Sequence, residues 1–263
     1  MSKILVVGDS SRDIFVYCDT LRLCPDIPVP VLNVKDQTEN PGMARNVYNN
    51  IKNLVNECDI ITNDNWYDIT KTRYVHKGSN HMFFRVDTTQ KIPRINVDTI
   101  DYNYEIIVIS DYDKGFLTED DISTICSNHP NVFVDTKKII GPWANKAAYI
   151  KINDFEYKNS INSLTSELKN NIIHTTGSNG CEYKGIHYPV KKVEVKDVSG
   201  AGDSFMAGLV VEYYTTRNIQ KSIKFANQCA SEVVNFLLHH RTHKGVTVAY
   251  HQHITNRSKL TAS

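Results

Sequence analysis

Five short, mostly apolar runs constrain the fold of this chain more than any other feature. They lie at residues 3–8, 104–110, 131–136, 147–153 and 171–177. Such runs are typical of strands covered on both faces, because a strand with one face in water alternates apolar and polar residues. Helical patterns separate several of them, notably at 118–127 with Thr118 as N-cap. This alternation predicts an α/β fold with a mostly parallel central sheet and helices on both faces. Further helices are predicted at 42–56, 202–216 and 219–240.

A second group of strand patterns differs from the first in carrying prolines and alternating polar residues. Its members are residues 13–20 and 28–35, and the predicted hairpin of residues 70–76 and 81–87. Together they predict a small sheet that stands off the main body, with strands at about 12–36 and 70–90. The chain shows no repeat and no linker, so we predict a single domain over residues 1–263.

The charge balance limits the kinds of partner this chain can attract. Thirty lysines and arginines stand against 29 acidic residues, so the formal net charge is +1. This balance predicts no general attraction to nucleic acid or to an anionic membrane. No apolar run approaches the roughly 20 residues that a membrane-spanning helix needs. The six cysteines form no CxxC pair, which favours a reduced, cytoplasmic protein.

Residues 200–203, Gly-Ala-Gly-Asp, lead into the predicted helix at 202–216. Gly200 and Gly202 permit a tight turn whose amides, with the helix dipole, stabilise an anion. Asp203 could then accept the proton of a hydroxyl that attacks a phosphoryl group. The simpler alternative is an early helix aspartate favoured by the dipole alone. A GxGxxG dinucleotide motif fails at Phe205 and the chain contains no Walker A sequence, which excludes both of those nucleotide-binding classes.

The segment DVSGAGDSFMAGL at 197–209 resembles the C-terminal signature of the ribokinase-like (PfkB) carbohydrate kinases. The resemblance implies a three-layer α/β sandwich with a small β-sheet lid. It further implies that Asp203 is the catalytic base and that the amides of Gly200, Ala201 and Gly202 form an anion hole. ATP would be the phosphoryl donor and Mg²⁺ the metal cofactor.

Three more motifs resemble elements of the same family and follow the family order. They are NDFE at 153–156, TTGSNG at 175–180 and FANQCAS at 225–231. The resemblance implies that Asn153 and Glu156 organise Mg²⁺ and, for Asn153, the nucleotide phosphates. It also implies a nucleotide site formed by Asn153, Thr175, Gly177, Gly180 and Asn227.

The N-terminal half resembles one branch of the family, the heptose-7-phosphate kinases. The resemblance rests on residues 8–34, on SDYDKGFLT at 110–118 and on FFRVD at 83–87. It implies transfer of the ATP γ-phosphate to the anomeric hydroxyl of D-glycero-D-manno-heptose 7-phosphate, which gives the 1,7-bisphosphate. Two alternatives stay open: another sugar or sugar-phosphate kinase of this fold, or a non-catalytic sugar- or nucleotide-binding regulatory protein.

The same resemblance implies that Asp13, Gly42 and Asn46 hold sugar hydroxyls, for which a carboxylate and an amide supply acceptors and donors. This chain has Met43 where the family has a glycine and Arg45 where it has an alanine. Met43 would reshape the sugar pocket. Arg45 would offer a guanidinium to a substrate phosphate.

Other candidate substrate residues follow from their position in the predicted elements. Asp111 and Lys114 lie at the end of a predicted strand, where open α/β sheets bind ligands, so a site role is favoured for both over the alternative of a helix cap and turn. Arg85, like Arg73, is a candidate for the distal phosphate of a sugar phosphate or an ordinary exposed lid residue. Lys151 is a candidate for contact with nucleotide or substrate phosphates, but the default interpretation is a surface lysine. By analogy with the family, the lid would exclude water and would pair two subunits into a homodimer.

Overall fold

The computed structural model describes residues 3–79, 81–88, 90–193 and 198–235. Its main feature is an eight-stranded sheet with the strand order β12-β11-β10-β9-β8-β7-β1-β4. Six of these strands are parallel, and β11 and β12 add an antiparallel edge. The strands are β1 (Ile4–Gly8), β4 (Cys58–Ile61), β7 (Ile106–Asp111), β8 (Val132–Thr136), β9 (Tyr149–Asn153), β10 (Ile172–Thr175), β11 (Cys181–Tyr183) and β12 (Ile186–Tyr188).

A separate four-stranded sheet with the order β3-β2-β5-β6 forms the second layer of β-structure, which we call the lid sheet. Strand β2 pairs antiparallel with β3 and parallel with β5, and β5 and β6 form the predicted hairpin. The architecture predicted from the two classes of strand pattern is therefore confirmed. The lid strands are β2 (Ser10–Asp19), β3 (Asn33–Met43), β5 (Thr70–His76) and β6 (Met82–Asp87).

Helices cover both faces of the central sheet and complete a three-layer sandwich. Within the described residues, none of them is long and apolar enough to cross a membrane. The helices are α1 (Ala44–Lys52), α2 (Glu119–Asn128), α3 (Asp154–Ser160), α4 (Ser166–Lys169), α5 (Ala201–Thr216) and α6 (Ile219–Asn235). Short 3-10 segments lie at Asp64–Tyr67, Val97–Thr99, Pro142–Ala144 and Gly177–Asn179.

The central strands divide their side chains between two hydrophobic cores. In β1, Ile4 and Val6 pack with helices α1, α5 and α6, whereas Leu5 and Val7 pack on the side of α2 and α4. Successive residues of a strand point to opposite faces, so a strand covered on both faces needs apolar residues throughout. The solid apolar runs of the sequence are explained by this double burial.

The structure corrects several predicted boundaries. The strand predicted at 28–35 is wrong over 28–32, because Pro28 and Pro30 lack the N–H that a strand ladder requires, and β3 instead continues to Met43. The predicted lid limit at 36 moves to 43, because β3 stays paired with β2 as far as Met43, opposite Ser10. The helix predicted at 42–56 is shorter, as α1 covers Ala44–Lys52.

Two further differences concern the second half of the chain. The hairpin of β11 and β12 was not predicted, because strands of three residues are too short to show a period. The last helix follows its prediction to residue 235, and the predicted continuation to 240 lies outside the described residues.

Candidate active site

A cleft of about 980 Å³ opens at the carboxyl ends of the central strands. This is the edge at which open α/β sheets bind ligands, because the loops there are free to diverge. The cleft brings together residues from four distant motifs of the sequence. Its lining includes Asn153, Thr175, Gly177, Gly180, Asn227 and the turn of residues 200–203.

Asp203 lies in the first turn of α5 at the base of this cleft and is buried. The turn before it depends on Gly200, which caps the helix in the left-handed conformation at φ 75°. Tyr112 donates its hydroxyl to Asp203 Oδ1 at 2.6 Å, and Asn46 donates its amide to Oδ2 at 2.7 Å. Burial raises the pKa of Asp203, and these two hydrogen bonds oppose the rise by favouring the carboxylate. The arrangement holds a buried carboxylate in one orientation at a helix N-terminus.

Tyr112 and the residue that anchors it, Asp9, were missed as site residues by the sequence analysis. The backbone N–H of Tyr112 donates to Asp9 Oδ2 at 2.7 Å, and Phe116 N–H donates to Oδ1 at 3.2 Å. Burial, together with the negative charge of Asp111, raises the pKa of Asp9 to about 6. Asp9 follows the first buried strand directly, and Tyr112 follows the next strand over, so their positions at strand ends were the available signal.

A buried ion pair lies beneath the glycine turn. Lys151 Nζ donates to Asp135 Oδ2 at 2.8 Å, and both side chains are almost wholly buried on adjacent strands. The interpretation of Lys151 as a surface lysine is therefore wrong. A Cβ on Gly202 would lie 3.1 Å from Lys151 Nζ, so the missing side chain is what lets this ammonium approach the turn. The ammonium of the pair, Lys151 Nζ, is the group that lies under the proposed anion hole.

Asn153 and Glu156 form a complete capping box at the start of α3. Asn153 Oδ1 accepts from the backbone N–H groups of Phe155 and Glu156 at 3.0 Å, and Glu156 Oε2 accepts from Asn153 N–H at 2.8 Å. Glu156 Oε1 pairs with Lys137. Burial acts to lower the pKa of Lys137, but the charges of Asp135 and Glu156 outweigh this effect, so the pKa is raised overall. Protein groups therefore already contact both carboxylate oxygens of the residue expected to bind Mg²⁺.

Another carboxylate of the cleft, Asp135, fits a cation better. Asp135 Oδ1 is buried and has no hydrogen-bond partner among the described residues, although Oδ2 is paired with Lys151. In the described part of the chain, no three His, Cys, Asp or Glu side chains are grouped to enclose a metal ion. Mg²⁺ commonly keeps several waters and binds through one or two carboxylates and substrate phosphates, so the cleft is compatible with it.

The loop at 176–180 carries the glycines of the expected nucleotide motif. Gly180 has φ 92°, and a Cβ there would lie 2.1 Å from the carbonyl oxygen of Tyr188, so only glycine fits. Gly177 has φ 60° and open space around it. Asn227 donates to the carbonyl of Tyr188 at 2.9 Å, and Thr175 donates to that of Ile152 at 3.2 Å. Both side chains thus support the walls of the cleft.

On the acceptor side, Asp13 and Gly42 are adjacent on the paired strands β2 and β3. A Cβ on Gly42 would lie 2.6 Å from Ser11 Oγ and 2.8 Å from Asp13 Oδ1. Both of those oxygens are buried and have no hydrogen-bond partner among the described residues, whereas Asp13 Oδ2 pairs with Arg73 at 3.4 Å. Buried polar atoms are normally satisfied, so these two are available to a bound hydroxyl.

The two departures from the family pattern have different consequences. Met43 is buried and adopts φ 60°, a conformation that glycine takes without strain and methionine does not. Arg45 lies over the ring of Trp66 at 4.0 Å, and burial lowers its pKa. The structure places the Arg45 guanidinium in this stacking contact, while Asn46, expected to hold a sugar hydroxyl, donates to Asp203.

Asp111, Lys114 and Arg85 occupy contrasting environments. Asp111 is buried, pairs with Lys138 at 3.0 Å and accepts from Thr136 on the adjacent strand. Lys114 is exposed, and its backbone N–H donates to Asp9 at 3.3 Å. Arg85 forms a two-bonded pair with Asp87 at 2.8 and 2.9 Å on the exposed lid.

Comparison with known proteins agrees with this arrangement. Residues 69–236 match the family described as pfkB family carbohydrate kinase. The bifunctional protein HldE of a Helicobacter pylori strain is 28% identical over 292 aligned positions, which cover 89% of this chain and 63% of that protein. The HldE protein of a Nitratiruptor species is 30% identical, with coverage of 88% and 61%. The chain thus spans about three-fifths of the length of these curated relatives.

Solved structures with the same fold share little sequence with this chain. Ribokinase from Thermotoga maritima superposes with a TM-score of 0.69 at 17% identity, covering 95% of this chain and 99% of that one. Phosphofructokinase-2 from Escherichia coli in complex with fructose-6-phosphate gives 0.66 at 14% identity, covering 96% and 99%. Both confirm the ribokinase-like fold predicted from the motifs.

The family match covers more than half of the chain and includes the glycine turn, Asp203 and the capping box at Asn153. The family match and the motifs indicate phosphoryl transfer to an alcohol group of a sugar. The chain belongs to the pfkB family of carbohydrate kinases.

Proposed function

We propose that this kinase transfers the γ-phosphoryl group of ATP to the anomeric hydroxyl of D-glycero-D-manno-heptose 7-phosphate. The observation that carries the proposal is the buried carboxylate of Asp203, oriented by Tyr112 and Asn46 at the N-terminus of α5. A carboxylate in this position can accept a proton beside a set of amides that favours negative charge. The alternative of a non-catalytic regulatory protein lacks this support, because the base and its orienting donors are intact.

The proposed reaction uses residues of this chain in two ways. The acceptor oxygen attacks the γ-phosphorus, the bond from that phosphorus to the β–γ bridging oxygen breaks, and ADP leaves. Asp203 takes the proton of the acceptor hydroxyl, using a lone pair that neither Tyr112 nor Asn46 occupies. The amides of Gly200, Ala201 and Gly202, with Lys151 beneath them, favour the negative charge on the transferred group.

For the metal, we propose that Asp135 and Glu156 would hold Mg²⁺ in the cleft by accepting hydrogen bonds from its bound waters. Asp135 Oδ1 is the unpartnered oxygen, and Glu156 is held rigidly by Lys137 and the capping box. The bound ion would neutralise charge on the phosphate oxygens, which is its usual contribution to phosphoryl transfer. The nucleotide phosphates would lie along Asn153, Thr175 and the loop with Gly177 and Gly180, and Asn227 would border the base.

For the acceptor, we propose that Asp13 and Gly42 hold sugar hydroxyls. The support is the pair of unpartnered oxygens of Asp13 and Ser11 beside Gly42. The choice of a heptose phosphate rests on the motifs at 8–34 and 110–118 and on the identity to HldE proteins. The open alternative is another sugar or sugar phosphate, since Met43 alters the segment beside Gly42.

We also propose that the lid sheet pairs two copies of the chain. Val34, Phe84 and Val86 alternate onto one face of the lid sheet and are all exposed. An exposed apolar sheet face is a common interface with a second copy. Size-exclusion chromatography with light scattering should give a dimer for the wild type and a monomer for Phe84→Glu, with Lys77→Glu as the control; a wild-type monomer would contradict the proposal.

The experiment that tests the function is release of ADP from ATP and Mg²⁺ against a panel of sugars and sugar phosphates. We expect the highest kcat/KM with D-glycero-D-manno-heptose 7-phosphate and a 1,7-bisphosphate product by mass spectrometry. Higher activity with another sugar would replace the acceptor and leave the kinase assignment intact. Binding of ATP with no turnover of any acceptor would favour the regulatory alternative.

A further inference from the structure

Lys71 is a half-buried cation on the inner face of the lid sheet, and it makes no ion pair among the described residues. Its two neighbours across the strands are carboxylates, Asp13 on β2 and Asp87 on β6. Each of these pairs with an arginine instead, Asp13 with Arg73 and Asp87 with Arg85. Lys71 is therefore left without a carboxylate partner and is well placed to bind an anion.

Other cations increase the positive potential at Lys71. Burial lowers the pKa of Lys71; Asp13 and, more weakly, Asp87 oppose this effect, while Arg73 and Lys114 add to it. Lys114 is exposed and comes from the loop that follows β7, so it approaches from the central sheet rather than from the lid. Like charges that converge from two elements repel, and the repulsion is relieved when an anion lies between them.

Lys71 lies beside the ring of Tyr112, which lines the nucleotide cleft. Lys71 Nζ lies 5.1 Å from the ring centre, and Lys137 Nζ lies 5.4 Å from it. Lys137 lines the cleft with the nucleotide motifs, whereas Lys71 does not. The hydroxyl of the same ring reaches Asp203, and Lys71 lies across the strand from Asp13, so an anion at Lys71 would lie near both the base and the proposed sugar site.

We propose that Lys71 and Lys114 form a binding subsite for a phosphate group carried by the acceptor, and that this subsite selects phosphorylated over neutral sugars. The proposal deepens the proposed kinase function and rests on it for the acceptor's orientation. It assigns selection to Lys71 and Lys114 rather than to Arg85, whose guanidinium is occupied by Asp87. Because Lys71 lies on the lid sheet, its contact with the phosphate would also draw the lid towards the bound acceptor.

A binding experiment tests the subsite without requiring turnover. The nucleotide side is filled with saturating Mg²⁺ and a non-hydrolysable ATP analogue, and inorganic phosphate is titrated by calorimetry into the wild type, Lys71→Met, Lys114→Met and Lys77→Met. Lys77 is an exposed lysine of the same lid and serves as the matched control. We expect the Lys71→Met and Lys114→Met variants to lose at least about tenfold in affinity and Lys77→Met to bind like the wild type. Unchanged binding in Lys71→Met would overturn the subsite.

Kinetics then separate this proposal from the proposed function. With the best acceptor of the panel, Lys71→Met should lower kcat/KM for the phosphorylated sugar by about 100-fold, through KM, and leave KM for ATP unchanged. The same variant should have little effect on the unphosphorylated sugar. A wild type that prefers the neutral sugar would refute the subsite while leaving the kinase intact. If Lys71→Met loses phosphate binding but the wild type turns over no sugar of the panel, the subsite is supported and the catalytic function is refuted.

Discussion

The carboxyl edge of the central sheet and the inner face of the lid sheet both carry charge, but they carry it in different ways. At the sheet edge, Lys151 and Asp135 are almost wholly buried and bonded to each other. On the lid, Arg85 and Asp87 are paired but exposed, and Lys71 has no ion-pair partner among the described residues.

This difference reflects what each region has to do. Buried charges are fixed by their partners, since an unpaired one is costly, and fixed groups can orient a base and a phosphoryl group. Exposed charges are cheap to move or replace, because water solvates them in either arrangement. This contrast matches the proposed roles, in which the sheet edge carries the chemistry and Lys71 of the lid, with Lys114, selects the acceptor.

The largest expected effect concerns the base at the sheet edge. Asp203→Asn should lower kcat by about a hundred- to ten-thousand-fold, because the amide cannot accept the proton of the acceptor. Folding and affinity for an ATP analogue should be retained, since Tyr112 and Asn46 still meet a side chain of the same shape. Steady-state kinetics and calorimetry measure the two quantities, and turnover near the wild-type value would refute the assigned role.

A matched pair of substitutions tests the contrast in ion pairing directly. Lys151→Met leaves Asp135 buried and alone, so the free energy of unfolding should fall by about 3–5 kcal/mol. Arg85→Met removes an exposed partner of Asp87 and should cost about 1 kcal/mol or less. Urea denaturation of both variants gives the comparison. Equal losses in the two variants would break the distinction between the two regions.

Tyr112 joins the two regions, and its removal should alter the pH dependence of catalysis. Its hydrogen bond favours the carboxylate form of Asp203, so Tyr112→Phe should raise the pKa of the base. The acidic limb of the kcat/KM profile should then move to higher pH, with a fall in kcat of about tenfold at neutral pH. A profile that keeps its acidic limb in place would show that Tyr112 has only a packing role.

The smallest expected effect concerns Asp9, which anchors the loop of Tyr112. Its pKa is raised to about 6, so its contribution to stability is fully present below its unfolded pKa and is lost as the pH rises through 6. The stability difference between the wild type and Asp9→Asn should therefore be larger at pH 5 than at pH 7.5, by about 1 kcal/mol. Denaturant titrations at the two pH values measure it, and a difference that grows with pH would contradict the sign.

Much of the fold was predictable because its signals are local. The solid runs of β1, β7 and β8 reflect burial on two faces, and the capping box at Thr118 fixes the start of α2. Prediction failed where the signal was short or was overridden by pairing. Strands β11 and β12 are too short to show a period, and β3 is defined by its register with β2 rather than by its own pattern.

The sequence by itself determined the family, the alternation of strands and helices, and the position of Asp203 after two glycines, because these depend on residues that are neighbours in the chain. Only the tertiary structure decided which side chains meet Asp203. Asn46 and Tyr112 are 157 and 91 residues away from it, and their hydrogen bonds depend on how α1, β7 and α5 pack. The tertiary structure likewise buried Lys151 against Asp135 and left Lys71 without an ion-pair partner in the described chain, since the environment of a charge is fixed by strands that are paired in space.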